Sequence, residues 1–361
     1  MARVLIGMSG GVDSSVAAAL LARAGHQVTG VTLKLWDGAD DPEAPWQERS
    51  CCKVGIARHV CDVLGIAHRV VDMRAPFRRH VVDDFLDGYA RGDTPNPCVR
   101  CNEAVKFTGL LDHAATEGFD LVATGHYARI ERTGWGGYRL LKGADPNKDQ
   151  SYFLYRIPHR DLARIRLPLG AMRKPQVMDI ARSLGLPADE IAESQEICFV
   201  GTGDYRDFLR AERPGMLAPG DIVDTAGTPL GRHGGVALHT IGQRRGLNVA
   251  LGRRAYVVAT DPATRTVTMG SEDDLLTDTV YAGQLNRLAP LDHPRVQVKV
   301  RYRGAPVPAT AALDGDRLTV RLDAPQRAVT PGQSVVLYQG DTVIGGGIIE
   351  RAARGDREAA G

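Results

Sequence analysis

Residues 3–24 read RVLIGMSGGVDSSVAAALLARA. The stretch opens on a short apolar run, RVLIGM (3–8), passes through a Gly/Ser-rich turn, and continues into an Ala/Leu-rich segment from about Ser14 to Ala24. A strand, a glycine turn and a helix in direct succession form half of a βαβ unit. Gly10 and Gly11 permit backbone angles closed to other residues and let main-chain amides approach a ligand. Ser9, Ser14 and Ser15 add hydroxyl groups, and the helix turns its free N–H groups toward the loop. Together these features predict an anion cradle. No lysine stands where the GxxxxGK[ST] phosphate loop places one, and the string does not fit GxGxxG. The bland alternative is a tight strand-to-helix turn with a Ser or Asp cap.

Working outward, VTGVTLKLW (28–36), HRVVDM (68–73) and DLVATG (120–125) read as further strands, with helices over about 51–65, 76–91 and 102–117. The alternation predicts an α/β fold, a parallel-sheet Rossmann-like domain with right-handed crossovers. Ligands in such sheets sit at the carboxyl ends of the strands, where the turns at 7–11 and 125–126 fall. ARIERT (128–133) and GYRLL (137–141) predict a hairpin added to this core, and helical patterns return near 149–156, 174–184 and 204–212. After residue 214 short β-rich runs take over: DIVDTAG, GVALHTI, AYVVATD and TVTMGS, then from about 281 VQVKVRYR, RLTVRLD, SVVLYQG and TVIGGGIIE. The expected organisation is 1–213 catalytic, 214–280 a small central β-rich domain, and 281–361 a C-terminal β-barrel ending in a frayed tail.

A length of 361 residues agrees with two or three domains. Hydrophobic residues at 43% and charged residues at 24% exclude a disordered chain. No apolar run reaches the roughly 18–20 residues of a membrane span, and MARVLIGMSGG reads as a first strand and not as a signal peptide, so a cytoplasmic protein is expected. Net charge is only +2, but residues 244–254 (RRGLNVALGRR) hold four arginines and no acid, and 285–303 hold five basic residues against Asp292. A charge run is usually a solvated face; two of them raise the expectation of a polyanionic partner.

Cysteines stand at 51, 52, 61, 98, 101 and 198. Cys51, Cys52 and Cys61 are expected to pack one helix, since cysteine is often buried. TPNPCVRCN (94–102) differs, because two prolines hold a polar loop off helix and place Cys101 at a helix start. A helix N-terminus, with Arg100 adjacent, is expected to lower the Cys101 thiol pKa. Cys198 lies in ESQEICFV (193–200), between Ile197 and Phe199. The single CxxC, with Cys198 as a third thiolate, leaves a zinc or iron–sulfur reading open; four thiolates would be needed to favour it.

SGGVDS resembles the pyrophosphate loop of the N-type ATP pyrophosphatases, which cleave ATP to AMP and pyrophosphate while adenylating an oxygen of a substrate. Over essentially the whole chain, the ordered set GMSGGVDSS, NPCVRCNEAVKF, GHYAR, KDQSYFL, SQEICFV, GQRRGL, RYRG and PGQSVVLY resembles the tRNA-specific 2-thiouridylases. The resemblance implies that ATP activates the oxygen at carbon 2 of the wobble uridine (position 34) in tRNAs of Lys, Glu and Gln type. A persulfide sulfur on Cys198 then replaces that oxygen. Cys101 resolves the persulfide through a transient disulfide with Cys198. A cysteine desulfurase or relay protein supplies the sulfur.

For ATP the match covers Gly7, Met8, Ser9, Gly10, Gly11, Val12, Asp13 and Ser14, with Leu33 and Gly125; Asp13 is implied near the reacting phosphates, with Mg2+. For the target base it covers Asn96, Pro97 and Cys98, and family members vary at the position of Cys98. For tRNA it covers His126, Lys148, Asp149, Gln150, Arg301, Tyr302 and Gln333. Leu33 has a bland rival in sheet packing, and Arg301 with Tyr302 in an exposed strand face. Rival functions are a GMP or NAD synthetase, which needs no cysteine pair, a lysidine-synthetase-like enzyme, which uses no persulfide, and a nucleic-acid-binding module with a vestigial nucleotide loop. The barrel's charge predicts that a chain ending near residue 280 keeps the pyrophosphatase fold but binds tRNA weakly.

Overall fold

The computed structural model describes residues 1–36, 54–134, 136–186, 197–200, 203–247, 249 and 252–355. Strands β1 (Arg3–Gly7), β2 (Gln27–Lys34), β3 (Ala67–Asp72), β4 (Leu121–Ala123) and β7 (Ile165–Arg166) form a sheet in the order β3-β2-β1-β4-β7. Every pairing in it is parallel. Val4, Leu5 and Ile6 are fully buried, as a central parallel strand requires when both its faces are covered. Helices α1 (Val12–Arg23), α2 (Val54–Val63) and α8 (Lys174–Ser183) share one apolar cluster with alternate β1 residues Val4 and Ile6. On the other face, with Leu5, pack α3 (Arg74–Phe77), α4 (Asp83–Ala90), α5 (Pro97–Cys101) and α6 (Thr108–Thr116).

The expected hairpin exists as β5 (Ala128–Arg132) and β6 (Tyr138–Lys142), but not where the local sequence put it. It extends the C-terminal sheet, not the parallel one: Leu141 pairs with Thr342 of β17 (Thr342–Ala353), and Lys142 N donates to Asp341 O at 2.9 Å. Short α7 (Ser151–Leu154) follows, and α9 (Tyr205–Glu212) leads into the middle domain.

There β8 (Gly220–Asp224), β9 (Pro229–His233), β10 (Tyr256–Asp261) and β11 (Thr266–Gly270) form a sheet ordered β10-β11-β8-β9 around Ile222, Val257 and Val267. GVALHTI, expected as a strand, holds a 3-10 turn at Val236–Leu238 instead. The last unit comprises β12 (Leu276–Arg287), β13 (Arg295–Lys299), β14 (Val307–Asp314), β15 (Arg317–Arg327), β16 (Ser334–Gln339) and β17. Their order, β12-β15-β14-β13-β16-β17 with β12 paired back to β17, closes a six-stranded barrel. Closure leaves no free edge.

The barrel is not a separate body. Val336, Tyr338 and Val343 belong to the same apolar cluster as Tyr152 and Tyr155. Tyr155 donates to Ser334 Oγ at 3.1 Å, Tyr152 to the Ser334 carbonyl at 3.0 Å, and Asn286 Nδ2 to the Tyr155 and Ile157 carbonyls at 2.6 and 2.9 Å. The barrel therefore supplies part of the packing around Tyr152 and Tyr155, which a chain ending near residue 280 would lack.

Candidate active site

The loop after β1 is braced by its own serines. Met8 N continues the sheet, donating to Val31 O at 2.8 Å, and Gly10 then takes φ +76, a conformation that favours glycine. Ser14 Oγ and Ser15 Oγ each donate to the Gly11 carbonyl at 3.0 Å, and Gly11 N donates to Ser9 Oγ at 3.3 Å. Gly11 is the N-cap of α1 and offers no side-chain acceptor, so the first-turn amides remain for an external anion. Val12 is buried beneath the loop. Gly7 ends β1, where a Cβ would meet the Leu110 side chain at 3.4 Å.

Asp13, in the first turn of α1, has a partner that no motif announced. Its Oδ1 accepts from Lys174 Nζ at 2.8 Å and from the Tyr127 hydroxyl at 2.7 Å. Lys174 opens α8, and its own amide is tied to Asp145 Oδ2 at 2.9 Å. The only sequence signal for it was a helix start at KPQV, which carries no spacing relation to the glycine loop. Gly125 follows β4 and abuts the same turn; a Cβ there would lie 2.7 Å from Asp13 C and Ser14 N, so the approach demands glycine. Leu33, near the end of β2, is buried and belongs to the apolar cluster on the Leu5 face of the sheet.

The thiol helix starts earlier than expected. Asn96 is the N-cap, its Oδ1 accepting from Val99 N at 3.4 Å, and buried Pro97 takes the first helical position, where a missing N–H costs nothing. Cys98 is exposed, whereas Cys101 lies a turn further in and is buried. The Cys101 thiol is pushed up to about 12, chiefly by burial; Lys106 works against the rise, while Cys198 and Cys98 add to it. The expected lowering of this thiol's pKa is thus reversed, because desolvation of the thiolate outweighs the helix end. Arg100 gives no help either. It points away to Asp84 Oδ2 (3.2 Å) and Oδ1 (3.1 Å) and to Glu103 Oε2 (3.0 Å). Glu103 in turn is gripped bidentately by Arg156 at 2.7 and 2.8 Å, which anchors the thiol helix to α7.

Cys198 is exposed on the turn at 197–200. Its neighbour Phe199 fixes that turn, with ring centroids 5.7 Å from Phe77, 5.2 Å from Phe85 and 5.1 Å from Phe208. The fold thereby brings Cys198 within electrostatic reach of Cys98 and Cys101. Among the described residues, no three His, Cys, Asp or Glu side chains converge as a metal-binding group. Cys61 is separate, buried in α2 with its thiol raised to about 11, mainly by burial and then by Asp62. Cys51 and Cys52 lie outside the described residues.

His126 links the two halves. It follows Gly125, its Nδ1 lies 2.8 Å from Thr124 Oγ1, and its ring packs tilted against Phe107, centroids 5.6 Å apart. Burial, and then the same Lys106 that acts on Cys98 and Cys101, hold its pKa down at about 3, so the ring is neutral at physiological pH. The end of β4 therefore meets the glycine loop through Gly125 and, through His126 on Phe107, the helical run that continues from Cys101.

The remaining expected tRNA residues fall into two groups. Lys148 is half-buried, Asp149 is buried and accepts from Gly143 N (2.9 Å) and Ser151 N (3.1 Å), and Gln150 Oε1 accepts from Tyr127 N at 2.9 Å. Asp149 and Gln150 thus shape their own loop. Tyr302 lies 4.3 Å from the Phe153 ring, with Lys299 Nζ 5.4 Å from its centroid, so 148–153 and 299–302 form one face. Arg301 is exposed, with Nη1 3.3 Å from Arg327 O. Gln333 stands apart and reaches Thr94, before the thiol helix.

Comparison with known proteins matches residues 2–202 to a tRNA methyl transferase HUP domain, 206–271 to a tRNA methyl transferase PRC-barrel domain and 277–349 to an aminomethyltransferase β-barrel domain. The chain is 48% identical to a tRNA-specific 2-thiouridylase MnmA of Chloroflexus aggregans, over 97% of this chain and 99% of the relative. It is 48% identical to the protein of the same name in Geobacter metallireducens, over 97% of each. A 4-thiouridine synthetase solved with RNA and bound ATP aligns at a TM-score of 0.37 and 14% identity, over 60% of this chain and 51% of that one. The domain models carry methyltransferase descriptions and the full-length relatives a thiouridylase name; the match that spans all three domains decides between them. The chain belongs to the tRNA-specific 2-thiouridylase family.

Proposed function

We propose that the protein carries out ATP-dependent 2-thiolation of the wobble uridine, position 34, of tRNA. The observation that carries this reading lies at the end of β4: Gly125 abuts the glycine loop, while the adjoining His126 packs on Phe107, in the helical run that continues from Cys101.

ATP lies with its phosphates on residues 7–14, against the free amides of α1. Lys174, held beside the loop by Asp13, supplies positive charge where pyrophosphate develops. Asp13, whose Oδ1 accepts from Lys174 and Tyr127, is the carboxylate of this loop that would hold magnesium, and the ion would supply charge neutralisation at the phosphates. The uracil oxygen attacks the α-phosphorus and pyrophosphate leaves, which converts a poor leaving group into a good one. The terminal sulfur of a Cys198 persulfide then bonds to carbon 2 and AMP departs. The Cys101 sulfur attacks Cys198 Sγ, giving up its proton, and the S–S bond to the transferred sulfur breaks. The two cysteines are oxidised to a disulfide as the sulfur is reduced to the thiocarbonyl level. A cysteine desulfurase or relay protein restores the persulfide, and a cellular thiol reduces the disulfide.

Asn96, Pro97 and Cys98 meet the target base, which must leave the anticodon stack. His126, Lys148, Arg301 and Tyr302 contact tRNA of Lys, Glu or Gln type. Asp149, Gln150 and Gln333 act mainly by holding the surfaces that do. We assign residues 1–213 to adenylation and sulfur transfer, 214–280 to the central domain and 281–361 to tRNA binding, in a cytoplasmic enzyme. The test is mass spectrometry of tRNA from cells lacking the gene, with and without the wild-type copy. Loss of wobble 2-thiouridine derivatives and their return on complementation are expected; unchanged 2-thiouridine refutes the reading.

A further inference from the structure

The first of the two basic runs, residues 244–254, plays no part in the site above. Arg244 and Arg245 line an open concavity of about 630 Å³ in the middle domain, together with Arg206, Gln243 and Gly246. The turn that carries them is built from the main chain. Gly242 N donates to Val257 O at 2.8 Å, Val257 N to Gln243 O at 2.9 Å, and Gln243 N to Thr240 O at 3.0 Å. The Gln243 side chain spans the turn, accepting from Thr240 N at 3.1 Å and donating to Arg245 O at 2.9 Å. Gly242 (φ +89) and Gly246 (φ +74) take left-handed conformations that allow it to close. The two exposed guanidinium groups therefore project from a fixed frame.

Charge decides what such a frame suits. Arg206 is neutralised by Asp204 at 3.1 Å and held by the Leu238 carbonyl at 2.9 Å. Among the described residues, Arg244 and Arg245 have no ion pair or hydrogen bond from their side chains, and no carboxylate lines the concavity. Two uncompensated guanidiniums facing one space repel each other until an anion enters, and the planar guanidinium matches phosphate oxygens two at a time. Location narrows the choice. Arg206 opens α9, and Phe208 of the same helix packs 5.1 Å from Phe199, beside Cys198. The helix that carries Arg206 thus also packs against the turn that carries exposed Cys198.

We infer that the concavity bounded by Arg206, Arg244 and Arg245 is a second RNA-backbone site, which takes phosphates of the tRNA next to the strand entering the active site. The inference rests on the thiolation reading for the identity of the RNA. Phosphate contacts of this kind position a substrate without reading its sequence.

The test uses the full-length protein and unmodified tRNA transcript in filter binding over a salt series. Arg244→Ala/Arg245→Ala is expected to weaken tRNA binding about tenfold at low salt and to lower the log–log salt slope by between about one and two. Arg244→Lys/Arg245→Lys restores most of the slope, and pyrophosphate release at saturating tRNA stays near wild-type. Each single Arg→Ala variant removes about one contact, which keeps the test intact where the double variant folds poorly. Wild-type affinity and slope in the double variant overturn the proposal. So does a variant that binds tRNA normally but accepts persulfide slowly from its donor, since the surface then belongs to an acidic protein. Failure of the thiolation reading shows separately, as wild-type protein that binds no tRNA.

Discussion

Gln333 Nε2 donates to the Thr94 carbonyl at 2.7 Å, joining residues 239 positions apart. Thr94 N returns a bond to Pro331 O at 2.8 Å. Between them Gly332, at φ +86, lets the turn lie flat on Thr94, where a Cβ would come within 2.9 Å of the Thr94 backbone. From the middle domain, Thr260 Oγ1 donates to the Gly92 carbonyl at 3.3 Å. The short segment that leads into the Cys98–Cys101 helix is therefore clasped by both β-rich domains.

Gln333→Leu removes a donor and leaves the Thr94 carbonyl short of a partner, a cost of about 1 kcal/mol. Thiolation turnover is expected to fall more than tRNA affinity, because the thiol helix loses its anchor. Gly332→Ala adds strain at positive φ on top of a backbone clash, roughly 1–3 kcal/mol. Thermal melts and tRNA titrations check both; a Gln333→Leu variant whose defect lies wholly in tRNA affinity contradicts the clasp.

A chain ending near residue 280 strips cover from Tyr152 and Tyr155, both fully buried, and removes the Ser334 and Asn286 partners described above. The exposed aromatic surface costs several kcal/mol on the usual area scale. Such a chain is expected to aggregate or to lose its cooperative melt. A soluble 1–280 fragment with a sharp thermal transition would show the domain to be independent after all.

Cys198→Ser and Cys101→Ser are each expected to abolish sulfur transfer while ATP binding stays intact. Cys61→Ser, which buries an unpartnered hydroxyl, costs roughly 1–3 kcal/mol of stability but keeps thiolation. Near-wild-type thiolation by Cys198→Ser removes the persulfide assignment. The pH dependence has a definite sign. Between about 9 and about 12 the native state holds a proton on Cys101 that the unfolded chain has released. Stability therefore declines as pH rises through that window, by up to about 1.4 kcal/mol per unit. Urea melts at the lower and middle parts of this range should show a shallower decline in Cys101→Ala. Alkylation at mildly alkaline pH should mark exposed Cys198 well before Cys101.

Lys174→Ala and Asp13→Ala each break a half-buried pair, and each is expected to depress pyrophosphate release by ten-fold or more, on the scale of removing one preorganised charge from a phosphoryl-transfer site. Binding of tRNA should change by less than about two-fold, since the loop faces phosphates and not the RNA body. Lost tRNA affinity in a gel shift, alongside normal pyrophosphate release, would reverse these roles.

The strand, glycine loop and first helix over 3–24 were legible because each depends on neighbours a few residues away: the apolar run, the positive φ at Gly10, and the serines that close on Gly11. The order of the motifs was equally legible, and with it the family. Other features depend on partners distant in the chain. The hairpin at 128–142 reads the same on either sheet, and only the pairing of Leu141 with Thr342 assigns it to the barrel. Cys101 shows a polar sequence context but sits buried in the fold, so desolvation sets its pKa in the direction opposite to the helix end. Lys174 meets Asp13 only because α8 packs beside α1. Local sequence determined the elements and the chemistry they carry; burial and long-range contact decided which of those groups meet, and in what state of protonation.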